Sequence, residues 1–208
     1  MILGQAKKLY TESLLQLSPL YLLVFILNVC FGFFFKSSLD AQKAHIASSF
    51  TTTFLSFFVA AVVILYHREN RVDHLLSMIQ KEKMSILEYY FISIKFLILF
   101  VAGFALLFVP AFYVLFFLYY APFICLLDKS EMNHFKRSKE FVKSNWKLQI
   151  VLTIFYLIYC FMMEVWPSGL RFQSHLVNSV FLFVDAFIQP FIMTYIFVLL
   201  SNKLKPTE

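Results

Sequence analysis

Six apolar stretches alternate with short polar ones along the 208 residues, at about 17–35, 47–66, 89–108, 110–127, 148–166 and 177–200. Each is close to the ~20 residues that a helix needs to cross a hydrocarbon core about 30 Å thick. The third and fourth form one run from Tyr89 to Leu127 whose only charge is Lys95. As a single straight helix this run would reach about 58 Å, roughly twice the core. It must turn, and Pro110 is the place, because proline lacks a backbone donor and biases Val109 away from helix. Pro19 is expected in the first turn of the first span, and Pro167-Ser168-Gly169 closes the fifth.

The polar stretches carry a helical pattern of their own. In residues 2–17, Ile2, Ala6, Leu9, Tyr10, Ser13, Leu14 and Leu17 share one stripe, as in a helix lying at an interface. Leu75, Leu76, Ile79, Ile86 and Leu87 keep similar spacing, and Glu131 to Lys147 does so again. Three times an amphipathic segment leads into an outgoing span that returns as a hairpin. The expected fold is therefore all-α: one polytopic membrane domain over residues 1–208, with six transmembrane helices in three hairpins, collared by cytoplasmic surface helices.

Charge orients this arrangement. With both termini cytoplasmic, the inner segments hold fourteen Lys or Arg and the outer ones three, Lys36, Lys43 and Arg171. Counting Tyr89 to Leu127 as one span would put the Arg68–Lys83 and Lys129–Lys147 clusters on opposite sides, so the positive-inside rule favours six. Tyr66, Tyr89, Tyr90 and Trp146 are then expected at the inner interface and Trp166 at the outer one. The composition agrees: 61% hydrophobic, 20% aromatic and 14% charged, against about 25% charged in soluble proteins. The net charge of +6 is spread over segments between spans, which points to anionic lipid headgroups and away from nucleic acid. Cys30, Cys125 and Cys160 all lie in apolar runs and give no disulfide or zinc spacing. Leu27-Asn28-Val29-Cys30 lacks the small residue a lipoprotein cleavage box needs before its cysteine, so the first span reads as uncleaved.

Two sets of residues are candidates for function. On the basic segment, Lys136, Arg137, Lys139 and Lys143 fall around one side, while Phe135, Ser138, Val142 and Trp146 fall on the other. Such a segment attracts anionic lipid by about 1 kcal/mol per basic residue near the surface, with Lys136, Arg137, Lys139, Lys143 and Trp146 as the expected contacts. The second set is the intramembrane polar residues Asp185, Gln189 and Lys95. Asp185 and Gln189 are one turn apart on the same face; intramembrane acids raise the question of an ion path, but the reading favoured for Asp185 is a structural hydrogen bond within the bundle. Lys95 sits near the inner end of its span and is expected to snorkel there. Tyr119 and Tyr120, before Pro122, are expected to pack in the core, with neighbouring polar groups satisfying the Leu118 carbonyl that Pro122 frees. No catalytic motif, phosphate loop or metal-ligand spacing occurs, so neither enzyme activity nor a cofactor is expected.

Pro110, Ala121-Pro122, Asp128, Arg137-Ser138, Phe141, Lys143, Asn145 and Trp146, with Pro190 in the last span, resemble the pattern of the YciC-like family of bacterial inner-membrane proteins. They also resemble the related membrane domain joined to some glycerophosphodiester phosphodiesterases. Ala111 stands where that family tends to place Gly. The resemblance implies a six-span protein of the cell inner membrane and brings no catalytic residues. The function expected is non-enzymatic, in envelope or lipid homeostasis, through lipid contact or as partner of another membrane component. The alternative is a small transporter or channel subunit with Asp185 and Gln189 lining its path.

Overall fold

A computed structural model describes residues 2–69, 75–106, 109–128, 133–160 and 175–204, and every element among them is an α-helix. In chain order these are α1 (Ile2–Ser38), α2 (Ala41–Arg68), α3 (Leu75–Lys81), α4 (Lys83–Ala105), α5 (Val109–Leu118), α6 (Ala121–Leu127), α7 (His134–Ser144), α8 (Trp146–Cys160) and α9 (His175–Lys203). Among the described residues five stretches are long and apolar enough to cross a membrane: Ile2–Phe35, Ile46–Arg68, Lys83–Ala105, Val109–Leu127 and Phe183–Lys203. The chain is a multi-pass, all-helical membrane protein. The fifth expected span corresponds to α8, apolar over Trp146–Phe155; its remainder to Trp166, the Pro167 turn and Arg171 lie outside the described residues.

Two compact units divide the chain, Met1–Val63 with Tyr159–Ile196 and Ile64–Ile158 with Phe197–Glu208. In the first, α1 and α9 run antiparallel through edge-to-face aromatic pairs: Tyr10 with Phe191 at 5.5 Å, Tyr21 with Phe187 at 6.1 Å and Phe25 with Phe183 at 5.5 Å. Such pairs add about 0.5–1.5 kcal/mol each beyond the area they bury. The break between α1 and α2 is confined to Leu39-Asp40, where Asp40 Oδ1 accepts the Lys43 N–H at 3.0 Å and caps α2.

The expected division of residues 2–35 into a surface helix and a span does not form, because α1 is continuous across both and Pro19 lies well inside it. The Leu15 carbonyl, which loses its helical donor to Pro19, accepts instead from Ser18 Oγ at 3.2 Å. Pro190 is likewise inside α9. There Tyr10 Oη donates to the Phe187 carbonyl at 2.9 Å, in the turn the proline disrupts.

In the second unit, α4 packs along α5 and α6, α7 packs against the same two helices, and α3 abuts α4. The surface helix expected over 75–87 divides at Glu82, and its second half continues directly into the α4 span. Tyr66 and Tyr89, expected at the interface, are buried, at 5% and 1% exposure. Pro110 takes the first turn of α5, where its missing N–H costs nothing. The α4–α5 hairpin closes on Gly103: a Cβ there would meet Ala111 N at 2.6 Å, Ala111 Cα at 2.8 Å and the Pro110 carbonyl carbon at 2.9 Å. Backbone meets backbone at this point, so the small pair Gly103 and Ala111 sets the depth of the contact.

Candidate functional site

The α5–α6 break at Tyr119-Tyr120, forced by Pro122, leaves the last carbonyls of α5 without helical donors. Side chains from α7 and α8 supply them. Ser138 Oγ donates to the Phe117 carbonyl at 2.8 Å, and Gln149 Nε2 donates to the Phe116 carbonyl at 3.2 Å and to Thr153 Oγ1 at 3.3 Å. Gln149 Oε1 in turn accepts from Tyr120 Oη at 2.7 Å. Ser138, Tyr120 and Gln149 are all buried, so these bonds form where water offers no substitute. These donors reach the Phe117 and Phe116 carbonyls, one and two residues before the Leu118 carbonyl at which the sequence pattern expects them. Tyr120 also packs edge-on against Phe141, 5.0 Å between centroids, as expected of a core residue.

This network fixes α7. Asn133 caps it by accepting the Phe135 and Lys136 N–H groups at 3.1 and 3.3 Å, and Arg137, Ser138, Phe141 and Val142 form its buried face. Arg137 therefore does not stand among the outward lysines, as the sequence pattern suggested. Its guanidinium pairs with the Asp128 carboxylate just past the end of α6. Lys136 and Lys143 are exposed, as is Trp146 at the start of α8. Lys139 is half-buried, with Nζ 5.5 Å from the centre of the Tyr113 ring. Of the five residues expected to meet lipid, Lys136, Lys139, Lys143 and Trp146 remain available at the surface.

A second cluster ties α2 and α3–α4 to the end of α6. Arg68 donates to the Leu126 carbonyl at 2.6 Å and contacts Glu82 at 2.9 Å and Glu69 at 3.0 Å. Lys81 closes on Glu69 at 3.2 Å. Hydrogen bonds from Arg68 and then Lys81 hold the Glu69 carboxyl below its ordinary pKa of 4.5. His134 Nε2 lies 3.4 Å from the Glu88 carboxylate, linking the start of α7 to α4.

The intramembrane candidates separate. Lys95 is exposed on α4, and its Nζ turns back over the Phe91 ring at 4.2 Å, toward the start of the helix, as a snorkelling lysine does. Asp185 and Gln189 lie in the first unit, where they share a cavity of about 20 Å³ with Tyr21, Asn28, Ser56 and Pro190. Among the described residues no group of His, Cys, Asp or Glu side chains is assembled to hold a metal ion.

Gln149, Arg68, Gly103, Asn28 and Ser56 were not singled out from the sequence. Gln149 and Asn28 carried a usable signal, each being an amide inside an apolar stretch that must find partners. No protein-family model matches the chain, and comparison with known proteins and with solved structures likewise gives no match.

Proposed function

We propose that the protein is a non-enzymatic component of the bacterial inner membrane, akin to the YciC-like family, that works in envelope or lipid homeostasis by gathering anionic lipid at α7. In this reading the chain has six spans with both termini cytoplasmic, and α7 lies at the cytoplasmic headgroup level. The observation that carries it is the division of labour within α7. Arg137, Ser138, Phe141 and Val142 form its buried face, docked at the α5–α6 break, while Lys136, Lys139 and Lys143 are left toward the surroundings, with Trp146 beside them at the start of α8. A docked helix with its lysines outward presents charge at a set height without the entropy cost of ordering a loose segment. Five of the residues that carry the family resemblance, Pro122, Asp128, Arg137, Ser138 and Phe141, take part in this docking, which further supports the reading.

The test is the lipid that accompanies the protein through mild solubilisation, measured by mass spectrometry against the composition of the source membrane. Anionic lipid should be enriched on the native chain. Replacing Lys136, Lys139 and Lys143 together with Gln should remove up to about 3 kcal/mol of attraction and return the anionic share to that of the membrane. An enrichment unchanged by the triple substitution would refute the proposal.

A further inference from the structure

We propose that the cavity shared by α1, α2 and α9 is a binding site for one small monovalent cation of the Na⁺ type, with Asp185 as its charged ligand. Its lining residues, Tyr21, Asn28, Ser56, Asp185 and Gln189 with Val24, Val59, Ala186 and Pro190, all fall within stretches apolar enough to span a membrane. Five of them bring side-chain oxygens, of which four are neutral and one is a carboxylate. None brings a basic group. A guest with a single positive charge leaves such a lining neutral, whereas a divalent ion would strand a charge where the bilayer tolerates it least. All-oxygen donors select hard cations over soft transition metals.

Two further features mark the cavity as a site and not a packing gap. Asn28 Oδ1 is enclosed and has no hydrogen-bond partner; a buried acceptor of this kind requires a donor or a cation. Pro190, itself in the lining, deprives the Ala186 carbonyl of its helical N–H, and Ala186 lines the same cavity. Backbone carbonyls freed by an interrupted helix beside a carboxylate are how membrane proteins commonly coordinate small cations. The volume of about 20 Å³ holds one water-sized guest, so the ion enters dehydrated. Mg²⁺, which keeps several waters, is excluded on size as well as charge. This site is independent of the lipid contact at α7.

The experiment uses the full chain in detergent micelles, with thermal unfolding followed by circular dichroism in NaCl, KCl or choline chloride at equal ionic strength, and with equilibrium uptake of radioactive Na⁺. The expected result is a midpoint about 3 °C or more higher in saturating NaCl than in choline, a smaller rise in KCl, and uptake that saturates at one Na⁺ per chain. Asp185→Asn and Asn28→Ala should each weaken Na⁺ uptake at least tenfold and abolish the Na⁺-specific shift. The Asn28 variant keeps the carboxylate, so the pair of variants reads the site even where one of them folds poorly. Equal midpoints in all three salts with no uptake would mean that the cavity holds only water, and would overturn the proposal. Uptake unchanged in both variants would overturn it equally.

Discussion

Replacing Gln149 with Leu isolates what the polar network beneath α7 contributes. Leucine is one bond shorter than glutamine but branches earlier and is no smaller in volume, so the substitution leaves little cavity and the loss is chiefly one of hydrogen bonding. It takes the acceptor from Tyr120 Oη (2.7 Å) and the side-chain donors from the Phe116 carbonyl (3.2 Å) and Thr153 Oγ1 (3.3 Å). Hydrogen bonds between membrane helices average only about 0.6 kcal/mol, because the separated helices also find partners. A buried group that loses its partner costs about 1–3 kcal/mol, and Gln149 is 5% exposed and Tyr120 1%. The second magnitude governs, and Gln149→Leu should cost about 2–3 kcal/mol, a fall of about 4–12 °C in the unfolding midpoint for a chain of this size. Tyr120→Phe alone should cost about 1 kcal/mol. The double variant should cost less than the two added together, since the hydroxyl that Gln149→Leu strands has been removed. Thermal or detergent-driven unfolding of all four proteins in the same micelles supplies the cycle. Native stability in Gln149→Leu, or strict additivity in the double variant, would refute the argument.

Gly103→Val should weaken the α4–α5 hairpin by about 1–3 kcal/mol, since the nearest backbone atom must retreat from 2.6 Å to at least 3.4 Å; unfolding at the native midpoint would show that the hairpin opens freely. The Glu69 carboxyl, with its pKa held low by Arg68 and Lys81, stabilises the fold fully above its unfolded-state value and loses that contribution as pH falls through the folded-state value. Melting curves should therefore show native protein losing more stability than Glu69→Gln on acidification below about pH 4.5, and identical acid slopes would contradict the pairing. In a background without cysteine, a cysteine placed at Gln42 should react with an impermeant reagent added from outside the cell and one at Asn133 should not; labelling of Asn133 from outside would reverse the proposed orientation.

What the sequence could disclose divides by the range of the interaction. Span positions follow from local hydropathy, and the α4–α5 turn follows from Pro110 alone. The repair at Pro19 is local too, since the donor Ser18 is its neighbour. Near Pro122 and Pro190 the donors to neighbouring carbonyls are Gln149, Ser138 and Tyr10, which are 16 to 180 residues distant along the chain. Sequence pattern says that such donors must exist, not which they are. Asp185 and Gln189 share a face by their spacing, and the cavity confirms that face. Their companions Asn28 and Ser56 come from other helices and leave no trace in periodicity. The continuity of α1 was missed because a stripe of apolar residues says which side of a helix is buried, and is silent on whether the helix ends before the next span.

Counting basic residues also hides a distinction that bears on function. The two arginines among the described residues, Arg68 and Arg137, are both sequestered, with side-chain exposures of 17% and 10%. Each bonds groups that join helices, the Leu126 carbonyl and two glutamates in one case and Asp128 in the other. Lys43, Lys81, Lys83, Lys136, Lys143 and Lys147 are exposed. The guanidinium has a planar fork that can serve a carbonyl and carboxylates together and is more weakly hydrated than an ammonium, so it suits the cramped positions. The ammonium is strongly hydrated and sits on a flexible stem, which suits a headgroup layer. The positive-inside rule weighs both types equally, yet among the described residues the arginines are held inside the fold and lysines such as Lys136 and Lys143 face the surroundings. Arg137 fixes α7 against the end of α6, and Arg68 ties that same end to α2 and Glu82.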